Sequence, residues 1–223
     1  MLPKISKIRN MKLKLIIVSL IILAFFNSCK EPIVTFEVAQ PENIKTQNQF
    51  PKKLIGTYYN AETKTELIIG KNYIFKKMTI EDTLNISELD KNEIIKNDTL
   101  YKLNTNEKYK VRKLNDSLFT DYVFSDTIFN IKKNNILKKF KGYYFLNKQI
   151  EQTRFWEVEK LNLTKGVLKI NGIETENEIS LLEAITETKK DTLKQFSVNP
   201  TKKQFREFIK KNGFTEGEIY LKN

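Results

Sequence analysis

From residue 53 onward, the alternation of apolar and polar positions is that of short β-strands separated by turn residues. "ELIIGKNYIFKK" (66–77) sets two apolar runs around Gly70-Lys71-Asn72 and predicts a hairpin. "KYKVRKLNDSLFTDYVF" (108–124) turns at Asn115-Asp116, and "TIFNIKKNNILKKF" (127–140) predicts another hairpin around Lys133-Asn134-Asn135. "WEVEKLNLTKGVLKI" (156–170) turns at Lys165-Gly166, with Asn171-Gly172 following directly. The alternation is imperfect. Tyr109 and Val111 share a face, but Leu118-Phe119 and Val123-Phe124 are adjacent apolar pairs, which predicts strands covered on both sides in places. Residues 86–97 fit a short helix as well as a strand.

An internal echo accompanies the hairpins. "KLIGTYYN" (53–60) and "KFKGYYFLN" (139–147) share Lys, an apolar residue, Gly and paired Tyr, and each precedes a hairpin run. The opening stretch resembles the Gly-x-Trp start of lipocalin-type barrels, with Tyr in place of Trp. Further on, "NEISLLEAITE" (177–187) places Ile179, Leu182 and Ile185 at helical spacing with Asn177 as N-cap. "LKQFSV" (193–198) reads as a strand. In "PTKKQFREFIKKNGF" (200–214), Thr201 and Gln204 form a capping box and Phe205, Phe208 and Ile209 an apolar stripe. Gly213 is the expected left-handed cap. That helix either covers a sheet or lies on anionic headgroups; the pattern favours the sheet. The expected fold is mainly β to α+β: an antiparallel meander, sandwich or small barrel-like sheets, in two related β-units at 52–138 and 139–223, the second with one or two C-terminal helices.

The N-terminal pattern is different in kind. Lys4, Lys7, Arg9, Lys12 and Lys14 precede an unbroken apolar-and-Ser run, Leu15 to Phe26, and then Asn27, Ser28 and Cys29. The run is twelve residues long, against the roughly 20 that a membrane-spanning helix needs. A basic region, a short apolar region and a small residue before the cut are the parts of a secretory signal. The arrangement resembles a lipoprotein signal of the Bacteroidota type, with Phe26 where the usual box has Leu. Met11 opens a normal signal start, "MKLK". The resemblance implies that residues 1–28 are removed and that Cys29 is acylated. The protein is then an envelope lipoprotein of the outer membrane, on its periplasmic side or at the cell surface. Lys30-Glu31 resembles the surface-export signal of some of these proteins. Residues 29–51, with Pro32, Pro41, Pro51 and many amides, read as a flexible tether.

Charge and composition narrow the chemistry. The chain carries +12 formally, and taking away the five cations of residues 1–28 leaves +7. The surplus suits an acidic envelope partner, whether glycan, lipid or protein; for an exported protein nucleic acid is not expected. There is no histidine, and Cys29 is the single cysteine. Ser-His-Asp and Cys-His catalysis and the usual zinc sites are therefore excluded. None of the seven glycines lies in a phosphate-cradling loop. No cofactor, metal or catalytic residue is indicated. The expected role is a binding or structural module rather than an enzyme. The alternative is a hydrolase of glycan or lipid working through paired carboxylates, although the twenty glutamates single out no pair. Trp156, beside Phe155, is a candidate sugar-stacking platform.

A last pattern is the triplet Asp, Ser or Thr, then Leu or Ile. It contains Thr83, Thr99, Ser117, Thr127 and Thr192, and takes up five of the seven aspartates. Asp favours turns, and Thr followed by an apolar residue opens a strand. The triplet also resembles the O-glycosylation site of exported Bacteroidota proteins, which makes those five hydroxyls candidate glycan acceptors.

Overall fold

The computed structural model describes residues 33–189 and 195–223. The chain runs through β1 (Val34–Phe36), β2 (Thr46–Gln47), β3 (Gly56–Asn60), β4 (Thr65–Ile69), β5 (Tyr73–Asn85), β6 (Glu93–Lys96), β7 (Thr99–Lys102) and β8 (Glu107–Leu114). It continues through β9 (Ser117–Asn130), β10 (Ile136–Phe140), β11 (Tyr143–Gln149), β12 (Trp156–Thr164) and β13 (Val167–Asn171). Then come α1 (Glu176–Thr186), β14 (Phe196–Val198), α2 (Lys202–Lys210) and β15 (Gly217–Lys222). The fold is mostly antiparallel β with two described helices, as the sequence predicts.

One sheet contains the strands in the order β2-β10-β11-β12-β13-β15-β3-β4-β5-β9-β8-β7-β6. It curls. Laid flat, β10 and β9 would stand eight strand spacings apart, about 38 Å at roughly 4.8 Å each. Yet only residues 131–135 join them, a link whose ends can be at most about 21 Å apart. The sheet therefore comes round on itself, and it does so without closing into a barrel. Its concave face gathers Tyr58, Leu67, Ile69, Ile74, Phe129, Leu137, Tyr144, Leu146, Leu161, Leu168, Ile170 and Tyr220 into one core, with Phe50 and Leu54 inserted. The pair at residues 127–140 is thus not a hairpin. Residues 131–134 do form a turn, in which the Lys133 amide donates to the Asn130 carbonyl, but β10 pairs with β11 and β2 and not with β9.

The two stretches of the sequence echo, residues 53–60 and 139–147, fall at β3 and at the end of β10 with β11. β3-β4-β5-β9 and β11-β12-β13-β15 follow one another in the same order along the sheet, and Tyr58 and Tyr144 enter the same core. Each four-strand unit makes an excursion before its last strand: β6 to β8 in the first, α1-β14-α2 in the second. Both units share one sheet, and β15 pairs with β3 across their junction.

Helix α2 covers the convex side of β11. Phe205 stands edge-on to Phe145 and Phe36, at 5.0 and 6.3 Å between ring centroids, and Phe214 closes the cluster. Phe205 and Phe208 are fully buried, so the stripe serves the sheet. The Thr201–Gln204 capping box is present, but Gly213 is not the left-handed residue; Asn212 is. Glycine is required at 213 for space, because a Cβ there would overlap the Phe208 ring. In α1 the N-cap is Thr175, not Asn177, since Glu178 at the third position completes a capping box with it. Residues 86–97 resolve into a single 3-10 turn, Ile86–Glu88, followed by β6.

The expected tether is corrected from Val34 onward. β1 pairs in parallel with β14 and leans on the start of β12, and Val34, Thr35 and Phe36 are all buried. Lys138 donates its ammonium protons to the Ala39 and Pro41 carbonyls at 2.7 and 2.9 Å. Asn147 donates to the Gln40 carbonyl at 2.9 Å. Proline and amide content suggested a solvated linker, but the groups that hold this segment lie about a hundred residues further along, out of reach of a local reading. Val34–Asn223 forms one compact unit.

Candidate functional site

A polar cluster on the concave face is built by strand alternation. Cross-strand register sets Lys148 of β11 opposite Glu157 of β12, and Leu146 opposite Glu159, so that Lys148, Glu157 and Glu159 share a face. On β15 the same face carries Glu218 and Tyr220, opposite Ile170 and Leu168 of β13. Lys148 Nζ lies 3.0 Å from a carboxylate oxygen of both Glu157 and Glu159. Lys76 of β5 reaches across the curl to Glu218 at 2.6 Å, and the Tyr220 hydroxyl donates to the other Glu218 oxygen at 2.7 Å.

These contacts move the protons. Burial works against the Lys148 ammonium, yet Glu159 and Glu157 more than offset it and hold it above the ordinary lysine range. Burial pushes the Glu159 carboxyl up; Lys148 pulls it down, and the charges of Glu157 and Glu218 push it up again, leaving it above the usual carboxylate range. Tyr220 is raised by burial, by its hydrogen bond to Glu218 and by the charges of Glu218 and Glu159. The cluster can offer a polar ligand both carboxylate acceptors and ammonium donors at the rim of the core. In this state Glu218 is engaged by Lys76 and Tyr220, while Glu157 and Glu159 share Lys148.

Sequence reasoning did not single out these residues among twenty glutamates. One local signal could have: "WEVEKL" puts Glu157 and Glu159 on one strand face together with Leu161, which is a core position.

The residues that the sequence did nominate are spread over the fold. Trp156 is half-buried at the start of β12, opposite Phe36 of β1 and Gln149 of β11. Its neighbour Phe155 lies under the Arg154 guanidinium, 5.4 Å from the ring centroid. Thr83 and Thr127 are exposed inside β5 and β9, and Thr99 and Ser117 are half-buried at the starts of β7 and β9. Strand alternation accounts for three of the triplets: the apolar third residues Leu100 and Leu118 are buried and Leu84 partly so, which turns each preceding hydroxyl to the other face, whereas the partly buried Ile128 stands at a shift in the β5–β9 register. Only two of these four follow a turn; Asp82 and Asp126 are inside strands. Cys29 and Thr192 lie outside the described residues. Among the described residues, none of those nominated are brought together into one site. No family model, curated protein or solved structure matches the chain.

Proposed function

We propose that the protein is an outer-membrane lipoprotein anchored through acylated Cys29, whose curled β-sheet body is a binding or structural module of the envelope. The observation that supports this reading is Cys29 itself, directly behind a basic segment and a twelve-residue apolar run. One acyl chain gives marginal membrane binding, whereas two or more give stable anchoring. No described helix is long and apolar enough to cross a membrane. The partner class is an envelope glycan, lipid or protein, and Trp156 is retained as a contact residue. The triplet hydroxyls Thr83, Thr99, Ser117, Thr127 and Thr192 are proposed glycan acceptors on the same reading, and the exposure of Thr83 and Thr127 is compatible with it. Metabolic labelling with fatty acid tests the anchor: the wild type incorporates label, and Cys29→Ala loses it and accumulates precursor. Equal labelling of both would contradict the proposal.

A hydrolase reading draws on one observation, the raised Glu159 carboxyl beside Glu157 and Glu218. It requires the wild type to turn over a glycan or lipid and Glu159→Gln to stop it. Against it stands the ground state, in which these carboxylates are tied to Lys148, Lys76 and Tyr220.

A further inference from the structure

Because β1 begins at Val34, only five peptide units separate Cys29 from the body, a reach of at most about 18 Å. The strand that follows the tether, β1, packs beside α2 through Phe36. β1 runs parallel to β14, with Val34 opposite Phe196, and β14 ends four residues before the start of α2. The Phe36 ring itself stands against Phe205 of α2. On the side of α2 away from Phe205 and Phe208, Lys203, Arg206, Lys210 and Lys211 are exposed around a shallow groove. Glu207 is the one acid in this row, and it is bound to Lys211 at 2.9 Å. The spacing of these cations, three, seven and eight residues on from Lys203, keeps them on one face of the helix.

We propose that this face docks on the phosphate-bearing headgroups of the membrane that holds Cys29; the proposal rests on the lipoprotein reading. An anionic surface attracts lysine and arginine within about a Debye length, roughly 8 Å. The short tether supplies a high effective concentration of that surface. The apolar stripe of α2 is spent on the core, so docking is electrostatic adsorption without insertion, and salt reverses it.

The test uses the full chain isolated with its native modifications and reconstituted into phosphatidylcholine vesicles with or without phosphatidylglycerol. Lysine acetylation is then read by mass spectrometry, with the exposed Lys110 and Lys132 as internal references. Labelling of Lys203 and Lys210 should fall about threefold or more in anionic vesicles only, and recover in about 0.5 M salt. Equal labelling of α2 in both vesicles, or protection only after envelope proteins or glycans are added, overturns the docking. The mass of the amino-terminal peptide separates the two readings. A lipidated Cys29 with unprotected α2 leaves the anchor and removes the docking. If Cys29 carries no lipid, the chain is added to preformed anionic vesicles and sedimented. Binding that drops about fivefold for each of Lys203→Glu and Lys210→Glu keeps the docking surface; binding that ignores these changes removes it.

Discussion

Glu178 shows how a charged side chain comes to be buried in this fold. It is 3% exposed, and its carboxylate accepts from the backbone amides of Glu174, Thr175 and Thr215 as well as from the Thr175 hydroxyl. Burial alone would raise its pKa, but these hydrogen bonds, led by that from Thr215, hold it below the usual carboxylate value of 4.5. A depressed pKa means that the stabilisation is present above 4.5 and lost as pH falls below it. Glu178→Gln should therefore flatten the acid limb of the stability curve and cost about 1–2 kcal/mol at pH 7. Thermal melts from pH 7 to 3 check this; an unchanged acid limb would contradict it. Glu159 carries the opposite sign. Its raised pKa makes the charged form a burden at neutral pH that Lys148 offsets. Removing that ammonium in Lys148→Met should destabilise by about 2–3 kcal/mol at pH 7, and by less at pH 5, where Glu159 can take up a proton. An equal loss at both values would rule out Glu159 as the titrating group. None of this was legible in the sequence beyond the Glu157-x-Glu159 alternation, because Lys76 and Glu218 meet only when the sheet curls.

Among the elements, α2 was the most legible. A capping box is four residues long, and Thr201 and Gln204 find each other as the spacing requires. The purpose of its stripe needed the structure: Phe205 is fully buried against Phe36, Phe145 and Phe214, residues far apart in the chain. Phe205→Ala should cost about 3–5 kcal/mol, and Phe205→Asp more, because it adds a buried charge without a partner. Chemical denaturation checks both, and a loss below about 1 kcal/mol for Phe205→Ala would contradict this packing. Hairpins divided along similar lines. Lys165-Gly166 and Asn115-Asp116 predicted real ones, since Lys165, Gly166 and Asn115 adopt the positive φ that tight turns need. Residues 131–134 also turn, but a turn does not encode whether the two strands it joins then pair. Close packing of strands is likewise silent in sequence: at Gly217 a Cβ would overlap the Ile170 carbonyl of β13.

At the scale of the whole molecule the sheet is uneven. The curled part is sealed by the long core between its faces, whereas β6, β7, β8 and the adjoining ends of β5 and β9 rest on Leu100, Val111 and Leu118, with Leu84, Ile86, Leu89 and Tyr109 packed against them. Opening free energies track such differences in buried apolar contact. Amide hydrogen exchange should therefore release β6 to β8 well before β11 to β13, and uniform protection across all six strands would contradict the division. The overall class, mainly β with C-terminal helices, was legible because alternation and turn residues are local. The curl, the docking of Val34 to Phe50 and the convergence of the two echoing units were not, because each is decided by partners distant in the chain. The fixing of that segment shortens the reach from Cys29 to the body and makes the state of Cys29 the central question about this protein. Intact mass of the mature chain from its native host addresses it most directly. The account predicts a polypeptide beginning at Cys29 and heavier by its acyl groups, with any further excess removed stepwise as Thr83, Thr99, Ser117, Thr127 and Thr192 are replaced by Ala or Val. A chain that begins elsewhere, or one that carries Cys29 with no added lipid mass, would contradict it.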